Sequence, residues 1–220
     1  MRLTKYIKFN NIFQFKIFNF FIRIISSFFI FLLAFFCYKI GEVASFYFLS
    51  FIFFVSFLEI YSIIGSIFVF LIYYFVIIIN YLFFSYNIFL GDMQFIYLVF
   101  FIASLHDIGG YVFGNLFGSC LLVPNISPKK SLEGLIGSVF FIWGGIEALN
   151  YFYKILIVNN IIICILFAII AFLGDIFFSK VKRTYNKKDF SNIIPGHGGV
   201  LDRIDSIMFL SFFIKLFLIL

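Results

Sequence analysis

The sequence predicts an all-α protein: a polytopic transmembrane helical bundle of about seven spans, with a polar active site facing the cytoplasm. Three observations carry this expectation. The chain of 220 residues is 64% hydrophobic and only 12% charged, with a mean hydropathy of +1.16. A soluble domain is roughly a quarter charged, and one of this size has too much surface to hide so much Phe, Ile and Leu. Apolar runs approaching the length of about twenty residues that crosses a bilayer recur along the chain. Finally, the polar residues gather in a few clusters, the densest between Ser179 and Asp205.

The expected spans are Ile17–Cys37, Val43–Leu58, Tyr61–Phe84, Phe95–Leu105, Leu132–Asn150, Ile155–Leu173 and Ile204–Leu220. The N-terminus is basic and then apolar but lacks a small-residue cleavage site. It is therefore expected to be a retained span rather than a signal peptide, with Arg23 at its cytoplasmic end. Only Glu59 splits the second span from the third. The fourth is short for a crossing; it either continues past Asp107 or is a tilted or broken helix whose polar groups are satisfied inside the bundle. No repeat and no Pro- or Ser-rich linker divides the chain, so residues 1–220 are expected to form a single integral membrane domain.

Charge gives a consistency test of this topology. The net charge of +6 reads as the positive-inside bias of cytoplasmic loops, and not as a nucleic-acid surface. None of the 16 basic residues falls between Lys39 and Lys129. With the N-terminus in the cytoplasm, even numbers of crossings bring Lys129 and Lys130, and then the Lys180–Lys188 cluster, to that same face. Lys39 and Lys154 then lie outside as exceptions, and Lys215 snorkels from the last helix. The 40 Phe residues are lipid-facing bulk. Cys37, Cys120 and Cys164 are far apart and form no CxxC, so buried thiols are expected, with neither zinc nor disulfides.

Three polar clusters stand out, because an ionisable group at membrane depth costs about 2.5–3.5 kcal/mol. The first is His106-Asp107-Ile108-Gly109-Gly110-Tyr111, then Gly114 and Gly118. It reads either as a hydrated helix end with a small-residue packing face or as a carboxylate pointing into a polar cavity. His106 alone reads as a satisfied interfacial histidine. The second runs from Ser127 through Pro128, Lys129, Lys130, Ser131 and Glu133 to Gly134. Ser131 suits a helix N-cap. Two lysines at a helix start oppose the dipole, and a bound anion would resolve the conflict. The alternative is a plain positive-inside anchor.

The third cluster contains Asp175, Ser179, Lys182, Arg183, Lys188, Asp189, the turn Pro195-Gly196-His197-Gly198-Gly199, Asp202, Arg203 and Asp205. Its cations suit polyphosphate and anionic headgroups. Its carboxylates suit Mg²⁺, which takes one or two carboxylates plus substrate phosphate oxygens. Its glycines let backbone approach a ligand closely. A polybasic surface loop would explain the lysines but not the aspartates and the Gly-His-Gly-Gly turn among them.

This third cluster resembles the signature of the phosphatidate cytidylyltransferase (CDP-diacylglycerol synthase) family. The matching positions are Ser179, Val181, Lys182, Arg183, Lys188, Asp189, Ser191, Ile194, Pro195, His197, Gly198, Gly199, Val200, Asp202, Arg203, Ile204 and Asp205, which complete the pattern across residues 179–205. Asp107, Tyr111 and Gly114 resemble a second family stretch, with Gly110 where Ala is usual. Ser127, Pro128, Lys130, Ser131, Glu133 and Gly134 resemble a third, with Ser131 in place of Thr. Arg23, Ser26 and Ser27 resemble the family's entry into the first span. Glu59 matches the acid of a family Trp-Glu motif, with Leu58 where Trp is expected.

The resemblance implies that CTP reacts with phosphatidic acid to give CDP-diacylglycerol and pyrophosphate, in a bacterial inner membrane, with the site cytoplasmic. It implies Mg²⁺, with a second cation left open, and a homodimer. Asp175 and Asp202 are the implied metal ligands, with Asp205 and Asp107 as auxiliary ones. Lys182, Arg183, Lys188 and Arg203 would hold phosphates. Lys130, Ser131 and Glu133, with Ser179, Gly198 and Gly199, would bind substrate, and His197 would orient a phosphate or a metal-bound water. Two other readings stay open: a CTP-dependent polyprenol kinase, which would transfer the γ-phosphate, and a non-catalytic lipid-binding or transport protein.

Overall fold

The computed structural model describes residues 22, 25, 26, 28–153, 160–196 and 198–219. Arg23, Ser27, Lys154 and His197 lie outside the described residues, as do the start of the expected first span and the Ile155 boundary. Every regular element among the described residues is a helix: α1 (Phe28–Ile40), α2 (Glu42–Ile63), α3 (Ile67–Phe89), α4 (Met93–Phe117), α5 (Leu132–Tyr153), α6 (Ile161–Thr184), α7 (Leu201–Ile204) and α8 (Ile207–Ile219). Helices α2 to α6 are each long and apolar enough to cross a membrane. The chain is thus an all-α, multi-pass membrane bundle. Helix α8, at 13 residues, spans roughly 20 Å, less than the hydrocarbon core.

Four expected boundaries move. Glu59 does not end α2. Its carboxylate is buried and hydrogen-bonded, so the helix runs on, and the break falls at Ile64–Ser66 instead, where the backbone is extended at Ile64 and Ser66. Helix α4 passes straight through His106, Asp107, Gly109 and Gly110 for 25 residues, so Asp107 is not a helix end. Helix α6 continues past Leu173 to Thr184. Asp175, Ser179 and Lys182 recur at i, i+4 and i+7, which places them on one helix face. At the C-terminus, the last long helix starts at Ile207 rather than at Ile204, because a turn at Asp205–Ser206 separates α8 from the short α7.

Two close approaches bring the polar clusters together. The most extensive helix pairing is α4 with α5. A Cβ at Gly109 would lie 2.6 Å from the Gly137 carbonyl oxygen, and one at Gly137 would lie 2.4 Å from the Phe113 side chain. These glycines exist so that two backbones can touch, the usual device where lipid gives no hydrophobic drive to pair helices. Similarly, a Cβ at Gly174 on α6 would lie 2.9 Å from the Asp205 carbonyl oxygen. The residue beside Asp175 thus lets the α7–α8 junction press against α6.

Buried polar clasps lock the rest. Asn80 of α3 accepts a hydrogen bond from the Ser211 hydroxyl of α8 at 3.1 Å, and the Tyr73 hydroxyl donates to the Phe177 carbonyl at 2.9 Å. Lys215 is ion-paired with Asp92, the N-cap residue of α4, and lies over the Phe95 ring. It is therefore held at the bundle end opposite Asp175. The thiols divide by location: Cys164 is buried as expected, Cys37 is half-buried, and Cys120 is exposed because it lies in the α4–α5 loop rather than in an apolar run.

Candidate active site

The C-terminal ends of α4 and α6, the N-terminus of α5 and the segment 185–200 all meet at one end of the bundle. Asp107 and Asp175 lie inside that end, each roughly 14 Å from the end of its helix at 1.5 Å per residue. Lys130, just before α5, is ion-paired with Asp175, and its ammonium lies 5.0 Å from the Phe172 ring centroid. The anion that two lysines at a helix start called for is thus supplied, within the chain, by Asp175. The Ser179 hydroxyl donates to the other Asp175 oxygen at 3.1 Å. Asp107 is exposed, and its charge lies within interaction range of Asp175, Arg203 and Lys130. Asp205 is buried, accepts from the Ser206 amide at 2.8 Å, and interacts with Asp175, Lys182 and Asp107.

A second ion pair organises the signature loop. Lys182 Nζ lies 2.6 Å from Asp202 Oδ1, with side chains only 8% and 4% exposed. Asp202 Oδ2 accepts from the amides of Phe190 and Gly199, both at 2.9 Å. One carboxylate therefore ties α6, the start of the loop and its glycine turn together. Gly198 has φ +86, and a Cβ there would lie 3.1 Å from Asp202 Oδ2. The left-handed conformation and the close approach both require glycine.

The other expected residues divide into braces and rim. Ser131 caps α5, accepting from the Gly134 amide at 3.2 Å, as expected. Glu133 accepts from the Ser119 hydroxyl and the Cys120 amide, closing the α4–α5 loop. Arg183 donates to the carbonyls of Ile126 at 2.9 Å and Lys187 at 2.7 Å, joining the two loops. Lys188 and Arg203 are exposed at the rim, with Lys129, Lys180 and Lys187. His106 is buried, and its Nδ1 has no hydrogen-bond partner among the described residues.

The donor set fits Mg²⁺ in chemistry. Hard carboxylate oxygens are present, and this ion needs only one or two of them when phosphates supply the rest. Among the described residues, no three acidic, His or Cys side chains come within reach of one ion. Asp175, with a side chain 25% exposed and within electrostatic range of Asp107 and Asp205, could hold such an ion. The Asp202 carboxylate differs in being nearly enclosed, with a side chain 4% exposed against Lys182 and the loop amides.

The sequence matches Glu59 to a family motif but gives it no place in the site. Glu59 of α2 accepts from the Val200 and Leu201 amides and from the Ser191 hydroxyl. The signal for it was a lone acid inside an apolar helix, which at that depth calls for a partner.

Fold and site together define a multi-pass membrane protein with a carboxylate and ammonium centre sunk into one loop-bearing end of the bundle. Residues 6–220 match the sequence profile described as the Cytidylyltransferase family, and the chain belongs to that family. Similar proteins named phosphatidate cytidylyltransferase include those of Staphylococcus saprophyticus and Staphylococcus aureus, each 38% identical over 119 residues. These matches cover 53% of this chain and 46% of each relative. A protein of the same name from Mycobacterium bovis is 42% identical over 106 residues, covering 46% of this chain and 34% of that one. The matches thus span less than half the length of these relatives.

Proposed function

We propose that the chain transfers the cytidylyl group of CTP to phosphatidic acid, giving CDP-diacylglycerol and pyrophosphate for phospholipid synthesis. The observation that carries this reading is the arrangement of the described signature residues around two lysine–carboxylate pairs at one end of the bundle. A non-catalytic lipid binder would not need four carboxylates (Asp107, Asp175, Asp202 and Asp205) set among cations.

In the reaction, an oxygen of the lipid phosphate attacks the α-phosphorus of CTP. A new P–O bond forms as the bond from the α-phosphorus to the bridging oxygen breaks, and the electron pair leaves with pyrophosphate. The attacking oxygen is already anionic, so no general base is needed. Two anions must meet, and charge neutralisation by preorganised groups is the main requirement. Lys130 and Lys182 supply buried ammonium groups, while Arg203, Lys188 and the rim lysines hold the outer phosphates. Mg²⁺, held by Asp175 with Asp107 or Asp205, would neutralise the triphosphate and its leaving group. The loops braced by Arg183 and Glu133 keep these cations in register.

The site-bearing end faces the cytoplasm of a bacterial inner membrane in this reading. Support comes from charge: that end holds Lys129, Lys130, Lys180, Lys182, Arg183, Lys187, Lys188 and Arg203, as the positive-inside rule requires. A homodimer is the assembly that the family resemblance implies, and sizing in detergent tests it. The activity is tested by supplying CTP, Mg²⁺ and phosphatidic acid to membranes containing the chain. CDP-diacylglycerol and pyrophosphate should appear in equal amounts. No product above that of membranes lacking the chain would refute the reading.

A further inference from the structure

The signature loop is held from behind by a side chain that lies far from it in sequence. Glu59 is 2% exposed on α2. Its Oε1 accepts from the Ser191 hydroxyl at 2.6 Å and the Val200 amide at 2.9 Å, and its Oε2 accepts from the Leu201 amide at 2.8 Å. The glycine turn is seated directly on this carboxylate: a Cβ at Gly199 would lie 2.8 Å from Oε1 and 2.9 Å from Oε2. Among the described residues, Glu59 forms no ion pair. Its charge is balanced by three hydrogen-bond donors instead.

These contacts define what Glu59 can and cannot do. With both oxygens occupied and almost no open surface, it meets neither substrate nor solvent. What it fixes is the point where α7 begins, and α7 carries Asp202 and Arg203 and leads into Asp205. Other contacts from the N-terminal half reach the same segment. The Ser26 hydroxyl donates to the Pro195 carbonyl, and the Ser66 amide donates to the Tyr185 hydroxyl, both at 3.2 Å. The Glu59 contacts differ in being buried and in acting on the turn itself.

We infer that Glu59 is a positioning residue of the cytidylyl transfer. It presets the Gly198–Gly199 turn and the start of α7, so that Asp202 and Arg203 stand in register with Lys182, Asp175 and Lys130. The inference rests on the proposed activity. A carboxylate is required at this position, because the donors need two acceptor oxygens. In Glu59→Gln, one side-chain oxygen becomes an NH₂ donor. Whichever way the amide turns, that NH₂ faces the Val200 or the Leu201 N–H, and one buried donor is left unmatched. Glu59→Asp keeps both oxygens but withdraws them by one methylene.

The test compares wild type, Glu59→Gln and Glu59→Asp, purified in detergent with phosphatidic acid. A displacement of about 1 Å at a reacting centre costs on the order of 10²-fold in rate. The expected result is a kcat loss of about that size for Glu59→Gln, counted per folded molecule, with KM for CTP little changed. Glu59→Asp should recover part of the loss. A second readout is independent of turnover: trypsin should cut faster after Lys187 and Lys188 in Glu59→Gln than in wild type. Wild-type kcat per folded molecule in Glu59→Gln, or a loss due wholly to less folded protein, would overturn the inference while the activity stands. If wild type makes no CDP-diacylglycerol, the proposed activity fails. The positioning of the loop is then decided by trypsin alone, and unchanged cleavage would overturn it.

Discussion

The Lys182–Asp202 pair allows a quantitative prediction. In Asp202→Asn, the side chain keeps one acceptor oxygen and gains an NH₂ donor. If the oxygen serves the Phe190 and Gly199 amides, the NH₂ points at the Lys182 ammonium. If the oxygen serves Lys182, the NH₂ points at two backbone N–H groups. Both side chains are nearly inaccessible, at 8% and 4% exposure, so solvent does not screen the loss. Removing one partner of a buried pair costs about 3–5 kcal/mol, a large share of a total stability on the order of 5–15 kcal/mol. Asp202→Asn should therefore lower the thermal midpoint in detergent strongly and abolish turnover. Adding Lys182→Met removes the stranded ammonium and leaves the Asn oxygen free for the two amides. The double variant should be more stable than Asp202→Asn alone, by a coupling of about 1–3 kcal/mol, and should remain inactive. A wild-type midpoint for Asp202→Asn, or a double variant no more stable than the single one, would refute the role given to this pair.

Other substitutions probe the frame around the site. Gly109→Ala places a methyl 2.6 Å from the Gly137 carbonyl oxygen, and should destabilise by about 1–3 kcal/mol as α4 and α5 are pushed apart. Gly110→Ala meets the Ser138 hydroxyl at 3.2 Å and the Gly134 carbonyl oxygen only at 3.9 Å. It should be near neutral, because Ala restricts the unfolded chain by about 0.5–1 kcal/mol; unfolding midpoints of the two variants in one detergent check the contrast. Lys215→Met breaks a partly exposed pair at the far end of the bundle, so it should cost no more than about 1 kcal/mol and leave CTP turnover at the wild-type rate. Chelating Mg²⁺ should stop turnover and adding it back should restore it, as measured by label entering lipid. Full turnover in chelator would remove the ion from the proposal.

The sequence made the bundle legible because membrane helices need long apolar runs, and it made the signature legible because its spacing is long and specific. Helix ends were less legible. An isolated acid reads as an interruption when its partner is distant in sequence, so Glu59 reads as a divider of two spans, whereas it lies buried against Val200 and Leu201. Asp175, Ser179 and Lys182 follow the expected span end at Leu173, yet their spacing marks a single helix face of α6. Spacing also could not reveal that Gly199 faces the Glu59 carboxylate, since that depends on α2 packing beneath the loop. Nor could it separate the aspartates by use: Asp202 ties the loop, while Asp175 keeps an open edge beside Asp107 and Asp205.

Cytidylyl transfer and kinase chemistry differ in which phosphorus of CTP is attacked. Membranes containing the chain should be given phosphatidic acid, Mg²⁺ and CTP labelled separately at the α- and γ-phosphorus. Cytidylyl transfer predicts that the α-label enters lipid and the γ-label leaves in pyrophosphate. Entry of the γ-label into lipid, with release of CDP, would contradict the account.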